Sequence, residues 1–138
     1  MKIQSLIKTT FLVSLSLIAS NSLANERIIS AGSAVTEIIF ALEKGDSLVA
    51  VDVTSELPKN TSLPKVGYHR RLSAEGLLAL GASHLIGSDE MGPETALDQL
   101  QSAGVKVSVV NTKSTPEGLL ERIDQIAQLT GAETKATQ

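Results

Sequence analysis

Short apolar runs of β type alternate four times with segments of helical periodicity along this chain. The apolar runs fall at residues 27–29, 48–51, 83–86 and 105–110. Such alternation is typical of a parallel sheet with helices packed against it. We therefore predict an α/β fold, a parallel sheet with flanking helices, in which ligands bind beyond the carboxyl ends of the strands.

Turn and capping residues delimit the first two predicted helices. Ser33 is the candidate N-cap of the first helix, and Gly45 is placed to end it. Ser73 is the candidate N-cap of the second helix, and Gly81 follows its end. The helical spacing predicts that Leu78, in the second helix, faces the sheet.

Proline and glycine mark the last two predicted helices. Pro93 stands at the first position of the third helix, and Gly104 ends that helix. Thr115 is the candidate N-cap of the fourth helix, and Pro116 lies in its first turn. The apolar stripe predicted for the fourth helix comprises Leu119, Leu120, Ile123, Ile126 and Ala127.

The last strand has one face that is less apolar than the other. Valines at 105, 107 and 109 alternate with Lys106 and Ser108. A strand buried on one face only suits a place near the edge of the sheet. We predict that position for residues 105–110.

Residues 1–24 have the pattern of a secretory signal peptide. A basic start precedes an apolar run at 11–19, and the small-x-small sequence at 22–24 fits a cleavage site before Asn25. The apolar run has about ten residues, whereas a helix that crosses a bilayer needs roughly twenty. We predict export and a mature protein that is not embedded in a membrane; an uncleaved anchor helix is the alternative.

Charge and composition exclude several classes of partner and site. Removal of Lys2 and Lys8 with the signal leaves ten Lys and Arg against fifteen Asp and Glu. Nucleic acid is therefore not expected as a partner, because its phosphates require a basic face. The absence of cysteine excludes disulfides, thiolate metal sites and a lipid-bearing N-terminal cysteine. These features predict a freely diffusing monomer in the space between two bacterial membranes.

The sequence carries no motif of the common nucleotide-binding or acyl-transfer enzymes. It has no Gly-x-Gly-x-x-Gly after the first strand, no phosphate-loop Gly-Lys-Ser/Thr and no Gly-x-Ser-x-Gly. An exported α/β enzyme that uses Asp52, Asp89 or Glu90 as acid or base is an open alternative. No motif pairs those carboxylates, so we do not expect an enzyme.

The segment after the long loop at 52–64 has unusual chemistry. It places the only tyrosine of the chain, Tyr68, beside His69, Arg70 and Arg71. A phenolate can ligate ferric iron, and tyrosine is a known haem ligand. A nearby guanidinium lowers the pKa of a phenol and also matches carboxylates such as haem propionates.

The segment therefore supplies a candidate iron ligand in Tyr68, candidate anion contacts in Arg70 and Arg71, and a candidate contact in His69. The alternative is an ordinary solvated turn, with His69 on the surface. The other histidine, His84, lies inside a strand run and is expected to be packed in the core or at its edge.

The stretch at 66–80, VGYHRRLSAEGLLAL, resembles the haem-binding periplasmic proteins of bacterial haem ABC transporters. Residues 28–39 are similar to the first βα unit of the same family. The likeness covers essentially the whole mature chain, and its specific part is the string Gly-Tyr-x-Arg-x-Leu-Ser-x-Glu-Gly. Related cobalamin and siderophore binders share the first unit in looser form.

The resemblance implies a fold and roles for individual residues. Residues 25–131 would form the N-terminal lobe of a two-lobed periplasmic binding protein, and residues 132–138 would begin the helix that joins the lobes. Tyr68 would ligate the haem iron, and Arg70 would contact that tyrosine or a propionate. Glu75 matches the glutamate with which the family docks on its permease.

The function implied by this resemblance is capture of haem and its delivery to an inner-membrane ABC permease and its ATPase. Haem is then the transported ligand, and the protein performs no chemistry on it. A binder of cobalamin or of a ferric siderophore is the nearest alternative. The presence of Tyr68 with Arg70 argues against this alternative, because cobalamin and ferric siderophores already occupy or enclose their own metal. A structural or adhesive module is the remaining alternative.

Overall fold

Four parallel strands form one sheet in the computed structural model, which describes residues 25–137. The strands are β1 (Ile28–Ala31), β2 (Leu48–Val51), β3 (His84–Ser88) and β4 (Lys106–Val110), in the order β2-β1-β3-β4. This arrangement confirms the predicted parallel α/β class and the edge position of the last strand. The connections diverge between β1 and β3, which is where a crevice opens at the carboxyl edge of such sheets.

Residues 25–137 contain five α-helices: α1 (Ser33–Ala41), α2 (Ala74–Ala79), α3 (Glu94–Ser102), α4 (Pro116–Thr130) and α5 (Glu133–Ala136). Two of the predicted N-caps are confirmed. Ser73 accepts a hydrogen bond from the backbone N–H of Gly76, and Thr115 accepts one from Gly118. Both caps are local contacts across three residues, which explains why the sequence shows them.

Three predicted helix ends are wrong by a short distance. Gly32, not Ser33, precedes the first helical residue of α1. That helix ends at Ala41, because Glu43 adopts a left-handed conformation with φ 59° before Gly45 is reached. Pro93 is the N-cap of α3, in an extended conformation, and its carbonyl accepts the hydrogen bond donated by Ala96.

The two faces of the sheet are covered by different helices. Successive residues of a strand face opposite sides, so Ile28 packs with α1 and α4, whereas Ile29 packs with α2 and α3. Both side chains are fully buried. The helices therefore flank the sheet on both sides and leave its carboxyl edge free for loops.

Three predicted inward-facing leucines are exposed, and those predictions are wrong. Leu78 is displaced by about 100° around α2 from the buried Leu77. Leu119 and Leu120 lie in the first half of α4, whereas the buried part of that stripe is Ile126 with Ala127. Only the second half of α4 packs on the sheet.

His84 is buried, as expected for a strand histidine. Its Nε2 lies 2.8 Å from Ser108 Oγ on the neighbouring strand β4. Burial, with the positive charge of Lys106, lowers the pKa of His84, although Glu26 opposes this effect. The residue lies at the amino end of β3, away from the carboxyl edge.

Within residues 25–137, no helix combines the length and the apolar character needed to cross a membrane. The predicted signal peptide at 1–24 lies outside the described residues. Residues 133–136 form α5, where the sequence predicts the start of a further helix. The assignment of 132–138 to an inter-lobe helix stays a prediction.

Candidate functional site

A 3-10 turn at His69–Arg71 presents Tyr68 at the carboxyl edge of the sheet. The Tyr68 carbonyl accepts a hydrogen bond from the Arg71 N–H at 2.8 Å, which closes the turn. The side chain of Tyr68 is 40% exposed. Its ring centroid lies 4.5 Å from that of His69, with the two ring planes at 59°.

Backbone hydrogen bonds fasten this turn to two other loops. The Gly67 carbonyl accepts from the N–H of Val53, in the loop after β2, at 2.9 Å. Gly92, in the loop after β3, donates to the His69 carbonyl at 2.9 Å and accepts from Leu72 N–H at 2.8 Å. The backbone that carries Tyr68 is therefore held on both sides before any ligand arrives.

A buried carboxylate, that of Asp52, anchors the ring of His69. The His69 side chain is 11% exposed, and its Nδ1 lies 2.9 Å from Oδ2 of Asp52, which is fully buried. The alternative in which His69 lies on the surface is thus wrong. Asp52 directly follows β2, and in the folded chain its carboxylate lies next to the turn that carries His69. The sequence does not reveal this proximity.

A chain of buried hydroxyls continues from Asp52 into the fold. Asp52 accepts hydrogen bonds from Thr54 Oγ1 and Ser55 Oγ, each at 2.6 Å. Ser55 Oγ lies 2.7 Å from Thr36 Oγ1, which lies 2.6 Å from Ser30 Oγ. The network ties the loop after β2 to β1 and α1.

The protonation state of Asp52 follows from this environment. Burial by itself raises the pKa of the carboxyl, but the hydrogen bonds from Ser55, Thr54, His69 and the Gly32 backbone together bring the pKa below its usual value. Asp52 is therefore ionised at neutral pH, so the Nδ1–H of His69 is the donor. Nε2 of His69 is left on the side of the ring away from Asp52.

Arg70 extends from the same turn and forms an ion pair with Glu90. The Nη2 of Arg70 donates to Oε1 of Glu90, and both side chains are about half exposed. The hydrogen bond to Glu90 raises the pKa of Arg70. Oε2 of Glu90 lies 3.8 Å from Nε2 of His69. Asp52 and Glu90, which no sequence motif pairs, thus flank one histidine.

The remaining predicted site residues stand apart from this cluster. Asp89 accepts a hydrogen bond from Thr112 Oγ1 at 2.6 Å. Arg71 is exposed at the end of the 3-10 turn, and Glu75 is exposed in the first turn of α2. Within residues 25–137, neither Arg71 nor Glu75 takes part in an ion pair.

A cavity of about 130 Å³ opens beside His69, at the point where β1 and β3 end. Its walls are Gly32, Ser33, Ala34, Val35, His69, Ser88, Glu90, Val110, Asn111, Thr112 and Arg122. These residues end a strand, lie in the loop that follows it or belong to the helix beyond that loop. The cavity therefore occupies the place at which open α/β sheets bind ligands.

The sequence model of a family described as periplasmic binding protein matches residues 28–138. This chain belongs to the periplasmic binding protein family. The match covers all the described strands and helices, and the Tyr68 turn lies within it.

Solved structures similar to this periplasmic binding protein include three haem-binding proteins. The periplasmic haem-binding protein HutB of Vibrio cholerae is 65% identical with a TM-score of 0.80, over 83% of this chain and 44% of that one. A periplasmic haem-binding protein from Pseudomonas aeruginosa is 41% identical with a TM-score of 0.76, over 81% and 40%. BhuT, solved in complex with two haems, is 36% identical with a TM-score of 0.75, over 81% and 44%.

A curated relative has a different named ligand. The vitamin B12-binding protein of Vibrio parahaemolyticus is 32% identical over 114 residues, which are 80% of this chain and 41% of that protein. This periplasmic binding protein thus spans less than half the length of each of the four proteins named.

The sequence places Tyr68 beside His69, Arg70 and Arg71, but it does not indicate two other parts of the candidate site. The anchoring role of Asp52 and the cavity wall at Ser88 follow from loops that meet only in the folded chain. One signal was available, since both residues lie at the carboxyl end of a strand. Such positions meet at one edge in any parallel sheet.

Proposed function

We propose that this periplasmic binding protein captures haem at the carboxyl edge of the sheet, with Tyr68 as ligand to the ferric iron. It then delivers the haem to an inner-membrane ABC permease and its ATPase and performs no chemistry on the ligand. The observation that carries the proposal is an exposed tyrosine on a turn that a buried Asp52–His69 pair anchors, with Arg70 beside it. Three haem-binding structures at 36 to 65% identity support the choice of ligand.

The geometry suits ligation of iron by a phenol. A free phenol titrates near 10, so iron must displace its proton, and a positive charge nearby makes that displacement easier. Arg70 is two residues from Tyr68 and carries such a charge, which it shares with its hydrogen-bond partner Glu90. The anchored backbone also lowers the entropy lost on binding, because the turn is already ordered.

The neighbouring side chains have separate roles in this proposal. Arg70, which is half exposed, contacts the ligated phenolate or a propionate through the N–H groups that Glu90 does not use. Arg71 makes an outer contact with a propionate from the exposed end of the turn. His69 holds the turn under Tyr68 and faces the haem with Nε2.

The proposal includes export and the place of the lobe in a larger protein. Residues 1–24 direct export to the periplasm and are removed. Residues 25–131 form the N-terminal lobe of a two-lobed protein, and residues 132–138 begin the inter-lobe helix. The match of this chain to 44% of HutB supports that division.

Direct titration of the mature full-length protein tests the proposed ligand. Haemin is expected to bind with saturation and to produce the visible spectrum of a ferric iron bound to tyrosinate. Cyanocobalamin, the ligand named for the relatives at 32% identity, is expected neither to bind nor to compete. Binding of cyanocobalamin with displacement of haemin would contradict the proposal and favour the cobalamin alternative.

Glu75 is proposed to dock on a basic residue of the permease. It is exposed in the first turn of α2 and has no ion-pair partner within residues 25–137. Glu75→Lys is expected to lower haem-dependent stimulation of the transporter ATPase by about tenfold or more, because the reversed charge repels a basic partner. Haemin affinity is expected to stay unchanged.

A matched control separates docking from a local helix effect. Glu94 is the exposed first-turn acid of α3, on the same face of the sheet. Glu94→Lys perturbs a helix N-terminus in the same way, at a cost of about 0.3–1 kcal/mol. Equal loss of ATPase stimulation in both variants, or loss of haemin binding in Glu75→Lys, would contradict the proposed docking role of Glu75.

A further inference from the structure

The first-turn N–H groups of α1 open into the cavity, whereas the N–H of the N-cap residue Gly32 is bound to the Asp52 carboxylate. No side chain caps this nine-residue helix, and its first turn holds no acidic residue. Its first intrahelical hydrogen bond runs from Thr36 N–H to the Gly32 carbonyl at 3.2 Å, which leaves the N–H groups of residues 33–35 without an acceptor in the helix. Those residues form one wall of the cavity.

Ser88 provides a second, independent observation at the opposite wall. It ends β3, is 7% exposed and lines the same cavity. Its Oγ has no hydrogen-bond partner among residues 25–137. A buried hydroxyl without a partner lowers the stability of a fold, and a bound ligand is one reason for its presence.

Gly32, which precedes α1, lies next to Ser88. Its φ of 115° lies in a region that L side chains rarely adopt. A Cβ at this position would lie 3.6 Å from Ser88 Oγ. The hydroxyl therefore stands beside the amides that begin α1.

The cavity wall carries the cation Arg122, while the ionised Asp52 lies on the far side of Gly32, whose backbone N–H donates a hydrogen bond to it. Arg122 lines the wall and donates to the carbonyls of Asn111, at 2.6 Å, and Lys113, at 3.1 Å, so that its charge is held there. Glu90 also faces the cavity, but its charge is paired with Arg70. The free amides at the start of a helix carry a partial positive charge that attracts anions.

The volume limits the size of the group that enters. The cavity holds about 130 Å³, whereas pockets that enclose whole ligands hold about 300–1,000 Å³. A carboxylate on a short alkyl arm fits this space, and a porphyrin ring does not. The free donors and the small volume together describe a subsite for one anionic side group of a larger ligand.

We propose that Ser88 and the first-turn amides of α1 bind a carboxylate of the captured ligand. The inference rests on the proposed function, in which this group is one haem propionate. His69 lines the cavity and its ring lies 4.5 Å from that of Tyr68, so the subsite adjoins the iron ligand. A haem held at both points has one orientation in the site.

The test compares haemin with its dimethyl ester, which lacks the carboxylates, in the full-length protein. Ser88→Ala is expected to weaken haemin binding about tenfold, the effect of one hydrogen bond to a charged group. Affinity for the ester is expected to stay unchanged. The melting temperature is expected to stay the same or to rise, because the variant removes a hydroxyl that has no partner. Ser102→Ala, at the exposed end of α3, is the control and should alter neither affinity.

A second measurement works without haem. Sodium propionate is expected to shift the backbone amide resonances of residues 33–35 in the wild type and to shift them much less in Ser88→Ala. If the wild type binds no haemin, the proposed function fails, and this measurement alone decides on the subsite. Equal effects of Ser88→Ala on haemin and ester, or unshifted amides with propionate, would overturn the inference.

Discussion

Replacement of Tyr68 by phenylalanine is expected to remove the ferric-tyrosinate absorption and to weaken haemin binding about a hundredfold, ~2.7 kcal/mol. The change deletes one oxygen atom and keeps the ring beside His69, whose centroid lies 4.5 Å away. In the proposed site the iron would lose its tyrosine ligand, while the apolar contact of the ring is retained. The measurements are the visible spectrum and the dissociation constant of the full-length variant.

The control for this experiment must keep the phenol. Arg71→Ala removes a neighbouring exposed cation and leaves the Tyr68 oxygen in place. It is expected to preserve the tyrosinate absorption and to weaken binding by less than Tyr68→Phe. A Tyr68→Phe protein that keeps the wild-type spectrum and affinity would exclude Tyr68 as the iron ligand.

Replacement of Asp52 by alanine is expected to cost about 3–5 kcal/mol of unfolding free energy, because it leaves three donors without their charged acceptor, at about 1–3 kcal/mol each. Asp52 is fully buried and accepts hydrogen bonds from His69, Thr54 and Ser55. Each of these donors would lose its acceptor. Urea unfolding measures the effect. Asp89→Ala, which removes an exposed carboxylate with one hydrogen bond to Thr112, is expected to cost at most about 1 kcal/mol.

The pH dependence of the same stability gives an independent check. The pKa of Asp52 is lowered in the folded protein, so the folded state binds fewer protons at this group than the unfolded state. Its contribution is present above the unfolded value of 3.8 and is lost as the pH falls through the lower folded value. Asp52→Asn is expected to show a smaller loss of stability in that acid range. If Asp52→Asn lost as much stability as the wild type when the pH falls, other carboxylates would account for the acid dependence.

Some elements of the fold could be predicted because their causes are local. The caps at Ser73 and Thr115 are hydrogen bonds across three residues. The polar residues of β4 indicated its edge position correctly, although Val109, predicted on the apolar face, is 55% exposed. The three exposed leucines were mispredicted because helical spacing shows which residues share a face but not how much of the helix meets the sheet. The end of α4 that carries Leu119 does not pack on the sheet, and no residue within the helix encodes that.

The candidate site also has parts that the sequence indicates and parts that depend on the tertiary structure. The sequence by itself determined that Tyr68 and Arg70 share a short turn next to a parallel sheet, because they are neighbours in the chain and their chemistry depends on residue type. Only the tertiary structure decided that Asp52 lies under His69, that Glu90 pairs with Arg70 and that Ser88 faces the start of α1. The strand order β2-β1-β3-β4 brings these loops to one edge, and contacts between loops far apart in sequence leave no local pattern from which they could be read.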